Sequence, residues 1–544
     1  MSGIIGEVRR MSAKATFKRR SRSPAARKKP AASISKQKKE KAQSTFLALK
    51  SLGAESGRST SIGANGNAGE VSRRDAGAAE PKLASPDLPS VQMLAAGKAL
   101  RDRVPRQIHG TWKRNKEKVD VLAILRASDK GRIKHLLPIR YGRMLQSPFT
   151  FYRGSAALMA ADLANTPTTG IRVQGCGDCH LLNFGGFATP ERNILLDIND
   201  FDETLPAPWE WDVKRLVASF VLAARSQGLS ESDARDMAVG CARSYRKRLR
   251  EYAGMSPLEV WYSRITVEDL VAAAPASTRQ RFEGRLRKRM ATEIEKSSAE
   301  MAYPQLAGMV SGKIRIHDAP PLIFHPGADT GGISVEEFRS RVEEGLKVYR
   351  ETLSDDRREL LDQYRLVDAA IKVVGIGSVG THCFILLMMS ANNDPLFLQI
   401  KEARQSVLEP YAGKSAYLHP GQRVVVGQRL MQPATDVFMG WATGRGGRHF
   451  YVRQLRDAKI KPMVEAMDTE VMSFFAKMCG WGLARAHAKS GTQELVISGY
   501  LGSQDNFDEA MGSFAVAYAD QAERDHATLK AAVRAGKIEV HIES

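Results

Sequence analysis

Residues 174–202 read QGCGDCHLLNFGGFATPERNILLDINDFD, and no other stretch limits the chain as tightly. Asp178 precedes Asn183 by five residues, and a mainly hydrophobic run, Ile194 to Ile198, leads into Asp200-Phe201-Asp202. A strand that ends in an acidic pair, close to an Asp…Asn loop, suits magnesium. Mg²⁺ is hard, wants oxygen ligands and usually takes only one or two carboxylates plus substrate phosphates. Phosphoryl transfer needs such a metal, and it needs a residue that orients the acceptor hydroxyl. Kinases use a catalytic-loop Asp for the hydroxyl and an Asn for the second metal.

A second signal lies about 200 residues downstream, where the apolar period switches from helical to two. YRLVDAAIKVVGIGSVGTHCFILLMM predicts strand, glycine turn, strand, and PLFLQIKEA predicts a third strand. Gly375-x-Gly377-x-x-Gly380 is G-x-G-x-x-G, which in a dinucleotide fold opens a helix. Here the mostly apolar run Thr381 to Met389 follows and reads as a strand. Strand, glycine loop, strand, with a lysine in the next strand, is the kinase arrangement. Glycines let backbone N–H groups close over phosphates, because a Cβ would block the approach. Gly375, Gly377, Ser378 and Gly380 therefore form the expected phosphate loop, and Lys401 the expected phosphate lysine. Glu402 points to the opposite strand face, so Glu409, in a predicted ARQSVLE helix, is the expected partner of Lys401.

The 174–202 segment resembles the catalytic segment of aminoglycoside and choline phosphotransferases. Those carry H-G-D-x-x-x-x-N, a strand ending I-D-(W/F)-(E/D), and a D-L-A helix start. Gly177-Asp178 and Asn183 match the first, Asp200-Phe201-Asp202 the second, and Asp212-Val213 the third. Cys176 stands where the pattern has its first His. The resemblance implies an ATP- and Mg²⁺-dependent phosphotransferase acting on an unknown hydroxyl-bearing acceptor. Asp178 would be the catalytic base, and Asn183 and Asp200 would hold Mg²⁺ with Asp202 assisting. Lys401 and the 375–380 loop would hold phosphates, and Asp212 would brace the catalytic loop, with His180 as a further brace. From about residue 140 onward the chain also resembles a bacterial domain-of-unknown-function family, number 2252, through SPFTFYRG, GDCHLLNFG, DINDFDET and YADQ. That family has no established activity.

Taken cyclically, the elements keep the kinase-like order: glycine loop, lysine strand, glutamate helix, connector, LARAHA helix, catalytic loop, metal strand, brace helix. The implied fold is α+β and two-lobed, protein-kinase-like but circularly permuted. Its expected parts are a basic disordered tail (1–90), a helical large lobe with the catalytic loop (91–370), a β-rich nucleotide lobe (371–460), and C-terminal helices that complete the large lobe (461–544). Permutation is tolerated where termini lie close together at the surface.

Several segments admit bland readings. The cluster Arg132, Lys134, Arg140 and Arg143 reads as a solvated basic face. Arg153, ahead of Gly154-Ser155, either meets a phosphate at a helix start or pairs with Asp162 or Asp202. His317, Asp318 and His325 read as a wet loop rather than a metal site, and His487 in LARAHA as a packing or bracing residue. GQRVVVGQRLMQP reads as two short strands, and DVFMGWATGRGGRHFYVRQLRD as the connection on which an adenine would rest.

Two other function classes stay open. One is a kinase-like binding or regulatory module without turnover. The other starts from Cys176-Gly-Asp-Cys179-His180, the C-x-x-C-H pattern of haem attachment, whose C-x-x-C is also a redox or zinc half-site. Haem attachment of this kind requires export, and Cys241, Cys383 and Cys479 are isolated, so no second zinc ligand pair is visible. Five unpatterned cysteines, no apolar run of about 18 residues and no secretory h-region predict a cytoplasmic protein without a membrane span. The net charge is +21, but residues 1–50 carry 15 Lys and Arg against Glu7 and Glu40. That tail reads as a solvated arm, with weak contact to an anionic surface or nucleic acid as the alternative.

Overall fold

In the computed structural model, described for residues 87–114, 119–277, 279–297, 299–326, 333–373, 375–455 and 459–542, the period-two stretch builds the largest sheet. Its six strands run in the order β11-β12-β10-β9-β8-β7, every pair antiparallel. They are β7 (Ile323–Phe324), β8 (Tyr364–Lys372), β9 (Cys383–Ser390), β10 (Pro395–Glu402), β11 (Gly440–Thr443) and β12 (His449–Gln454). Alternation gives the sheet two apolar faces. Leu386, Met388, Leu398, Ile400 and Val452 pack against Phe338, Val342 and Tyr349 of the helix Val335–Arg350. Ile385, Leu387, Met389 and Phe397 pack under a hairpin of β5 (Ala307–Val310) and β6 (Lys313–Ile316). Further along that second face the residues turn polar, at Gln399, Lys401, Tyr451 and Arg453, and there the sheet opens onto a cleft.

The other wall of the cleft is helical, with two small sheets inset. β1 (Arg172–Gly175) pairs with β4 (Leu205–Pro208), and β2 (Phe184–Ala188) lies between β3 (Ile194–Ile198) and β13 (Lys459–Ile460). Behind them the helix Trp209–Ser226 is buried from Trp209 through Ala224. It packs with Glu231–Ala253, Thr469–Ser490 and Asn506–Arg534 around the main core, where Trp209 stacks on Tyr245 at 5.8 Å. The LARAHA helix, Thr469–Ser490, is capped by Asp468, whose carboxylate accepts from Val471 N. It carries Arg485 and His487 into the interior. The described residues belong to one compact unit.

Four expectations are corrected. GQRVVVGQRLMQP is a helix, Pro420–Met431, rather than two strands. Its buried Val424, Val425, Gln428 and Met431 recur at helical spacing, and Pro420 sits in the first turn, where a missing N–H costs nothing. ARQSVLE is not a helix: a short helix spans only Glu409–Ala412. The large lobe is less purely helical than expected, since β5, β6, β7 and most of β8 precede residue 371. The basic cluster is not a solvated face throughout, because Arg140 is 1% exposed and both Arg132 and Arg140 line the cleft. The expected disorder of residues 1–90 concerns a segment that lies, up to residue 86, outside the described residues.

The 313–325 loop is tied by His325, whose ring nitrogens lie 2.8 Å from Asp318 and 3.0 Å from Asp368. His109, by contrast, is a buried neutral histidine. It pairs with the Tyr500 hydroxyl at 2.8 Å, and burial pushes its pKa down to about 3. Below the ordinary His pKa of about 6.5 the unfolded chain takes up a proton that the folded one refuses, so this contribution to stability falls as the pH drops. From pH 7 to pH 5 the loss is about 2 kcal/mol. Urea denaturation of wild type and His109→Gln at both pH values checks it: the variant should lose that much less.

Candidate functional site

Backbone geometry explains how the residues of the 176–183 loop are presented. Gly177 adopts a left-handed conformation, φ 84°, and any Cβ there would meet the Glu203 backbone. Asp212, in the first turn of the Trp209 helix, receives the loop on both carboxylate oxygens. Cys176 N donates to it at 2.6 Å and Gly177 N at 3.0 Å, with His487 Nε2 at 3.2 Å. His487 in turn contacts the Tyr245 hydroxyl at 2.9 Å. Asp178 then projects into the cleft, held at one oxygen by Arg215, at 2.7 Å from Nε. Asn183 donates its amide N–H to the Asp178 carbonyl at 2.6 Å, so its amide oxygen is the end available to a ligand.

β3 is buried at every residue and delivers the acidic segment to the cleft. Lys401 Nζ lies 3.7 Å from Asp200 and 2.7 Å from Asp202, although the two stretches are 199 residues apart at the closer contact. Burial alone would raise the Asp200 carboxyl, but Lys401 and Arg453 outweigh it and hold it below its ordinary value. Burial likewise opposes charge on Lys401, and Asp200 and Asp202 overcome it, raising its pKa.

The two acids differ. Asp202 accepts from Lys401, from the Tyr451 hydroxyl at 2.5 Å and from Ser378 Oγ at 3.3 Å, so its oxygens already hold protein donors and it is poorly placed to assist a metal. Asp200 keeps one buried oxygen, the one 3.7 Å from Lys401, without a hydrogen bond, and the neighbouring Asn199 amide oxygen also accepts none. Orphaned hard oxygens beside the Asn183 amide fit Mg²⁺. Among the described residues no three His, Cys, Asp or Glu converge into an all-protein metal cage. Mg²⁺ does not need one, since it keeps waters and substrate phosphates in its shell.

The glycine loop roofs this arrangement. Gly375, Gly377 and Ser378 line the cleft, and Gly380, φ 83°, turns the chain into β9 while its carbonyl accepts from Ile133 N at 2.7 Å. Arg132 fastens the loop, donating to the Val379 carbonyl at 2.5 Å and the Gly377 carbonyl at 2.9 Å. Arg153 lines the cleft as well. It pairs with neither expected acid: Asp162 is held by Arg114 and Asp202 by Lys401, and Arg153 Nε is buried without a hydrogen bond.

Two expected roles are not met. Glu409 does not reach Lys401 and lines a separate hollow with Glu402, Arg404 and Tyr417. The helix after the lysine strand presents Arg423 instead, which donates to the carbonyls of Thr204, Asp202 and Arg404 at 2.5–2.8 Å and so ties that helix to the acidic segment. The His180 ring braces nothing by hydrogen bonding: its Nδ1 is buried without a partner, its Nε2 stands 3.9 Å from Asp178, and burial pushes its pKa down to about 3. Cys176 and Cys179 are 1% and 0% exposed within the main core, which leaves neither sulfur open to thioether formation.

Sequence reasoning missed the cleft's remaining cations. Lys372, Arg453, Lys459 and Lys461 line it, making eight cationic side chains against five acidic ones in a cavity of about 760 Å³. Burial and the charges of Arg453 and Lys401 push Lys459 down to about 7. Alternation placed Lys372 and Arg453 on the same face as Lys401 once the strand register was known, but register is not written in the strands singly.

No helix among the described residues is long and apolar enough to cross a membrane. No curated protein and no solved structure matches the chain. A family model does, over residues 132–532, from the first cleft arginine to the last long helix. The chain belongs to that family, DUF2252, an uncharacterized protein conserved in bacteria.

Proposed function

We propose that the protein is an ATP- and Mg²⁺-dependent phosphotransferase of kinase-like, circularly permuted architecture, acting on a hydroxyl-bearing acceptor. The observation that carries this reading is the meeting of Lys401 with Asp200 and Asp202 beneath the 375–380 loop, inside one cavity. Element order supports it: strand, glycine loop, strand, lysine strand, helix and two further strands follow one another, these five strands share one sheet, and the acidic segment faces the lysine from the other wall. Asp178 orients the acceptor hydroxyl, with Arg215 fixing its carboxylate. Asp200 and the Asn183 amide oxygen hold Mg²⁺, which would neutralise phosphate charge. Lys401 and the glycine loop hold phosphates. Catalysis of this kind is chiefly positioning and charge stabilisation.

Mg-ATP at about 100 times its Kd stabilises a binding protein by about 2.7 kcal/mol. A thermal-shift titration with ATP, GTP and Mg²⁺ should show that gain only when nucleotide and metal are both present; no shift with any nucleotide refutes the reading.

One observation favours a second reading, a nucleotide-binding module without turnover. Active protein kinases need a glutamate on the helix after the lysine strand, and here that helix offers Arg423. Nucleotide binding with no ADP or AMP formed over any acceptor pool would select this second reading.

A further inference from the structure

The polar face of the sheet continues inward past Lys401. Gln399 lies on the same face, about 7 Å further along the strand. Strand register sets Arg453 opposite Gln399, just as Tyr451 is opposite Lys401, and Arg453 Nε donates to Gln399 Oε1 at 3.1 Å. Lys459 joins them from the first residue of β13, the strand bonded to β2 on the facing wall. Beyond this point the face closes under apolar Phe397 and Leu387. The inner end of the cleft is therefore walled by a guanidinium, an ammonium and an amide.

Arg453 lies in β12, within the stretch expected to hold the connection on which a nucleotide base would rest. Ligand pockets that hold flat apolar groups are lined mainly by apolar and aromatic side chains, and this end is not. The acids whose fields reach Arg453 include Asp200 and Asp202, and both are already drawn on by Lys401. Asp436 adds a third negative charge near Lys459, so Arg453 stays fully charged, while burial and the neighbouring Arg453 and Lys401 hold the Lys459 ammonium down to about 7.

We propose that Arg453, Lys459 and Gln399 form a second anion subsite that takes a phosphate group, so that a bound polyphosphate runs inward from Asp200 along the sheet and not outward. The proposal rests on the phosphotransferase reading only in taking a nucleotide as the natural ligand. The phosphate has two possible sources, the nucleotide's own chain or a separate phosphorylated ligand.

Calorimetry on the full chain with Mg²⁺ separates the cases, using pyrophosphate, AMP and ATP as probes against wild type, Arg453→Gln and Lys459→Gln. Pyrophosphate should bind wild type. Each substitution should weaken it about tenfold, the scale of one charged hydrogen bond, while AMP affinity changes less than about twofold. Competition between pyrophosphate and ATP assigns the subsite to the nucleotide's own phosphates. Simultaneous binding assigns it to a second phosphorylated ligand. Unchanged pyrophosphate affinity in both variants, or no pyrophosphate binding by a wild type that binds ATP, overturns the proposal. Pyrophosphate binding that is lost in the variants, in a protein that never binds ATP, keeps the subsite and removes the nucleotide reading instead. Should Arg453→Gln fail to fold, Lys459→Gln carries the test, since its strand is only two residues long.

Discussion

Asp200→Ala is expected to abolish Mg²⁺-dependent nucleotide binding and to lower turnover by about 10³-fold or more, the scale on which single charge-stabilising groups act in phosphoryl transfer. That factor corresponds to about 4 kcal/mol of transition-state stabilisation. The effect should be functional rather than structural. Lys401 keeps Asp202 at 2.7 Å, and Asp202 keeps Tyr451 and Ser378, so the sheet stays pinned to the acidic segment without Asp200. Asp202→Ala should behave in the opposite sense. It removes the acceptor of three donors and leaves Lys401 with the acid 3.7 Å away, so stability falls together with binding. Circular dichroism melts beside calorimetry distinguish the two. Unchanged nucleotide affinity and activity in Asp200→Ala would remove Asp200 from the metal site and the phosphotransferase reading with it.

The contrast between these two acids shows what was legible in the sequence. D-x-D at a strand end marks both as ligand candidates, and the lysine strand was recognisable from period and from the glycines before it. Which carboxylate stays open depends on Tyr451 and Ser378, which reach Asp202 from elsewhere in the chain. The same holds for Arg453 and Lys459, whose roles follow from strand register and from a two-residue strand too short to predict. Propensity misled at Pro420–Met431, where three consecutive valines suggested a strand. Burial of Val424, Val425, Gln428 and Met431 on one helical face overrode it, as tertiary packing does with weak local preferences. Glu409 failed for a related reason. A glutamate helix was expected directly after the lysine strand, but the chain spends residues 403–408 on a loop, in which Ser406 and Val407 bond Glu203.

Arg485→Met is expected to destabilise the protein by about 3–5 kcal/mol, the cost of stranding one partner of a buried ion pair. Arg485, on the LARAHA helix, is 0% exposed, and its Nη2 donates to Asp197 Oδ2 at 2.6 Å and also to the Met431 carbonyl. Asp197 sits on β3, three residues before Asp200, and is itself fully buried. The pair therefore fixes the strand that aims the acidic segment. Burial already raises the Asp197 carboxyl above its ordinary range, with Arg485 opposing that rise. Without the guanidinium the folded-state pKa climbs further. The folded variant then binds a proton that the unfolded chain, with an ordinary carboxyl, releases, so the variant should regain stability as the pH falls. Wild type should follow it only weakly, because Arg485 opposes the rise of its Asp197 carboxyl. Replacing both partners, as Asp197→Leu with Arg485→Met, should recover most of the loss, since no charge is left unpaired. About 1–2 kcal/mol should remain, because the Met431 carbonyl and the other groups that faced the pair lose donors. If the single and double variants are equally unstable at pH 7, and neither responds to acid, Arg485 contributes packing and not charge. The orientation of β3 would then have to come from its apolar neighbours alone.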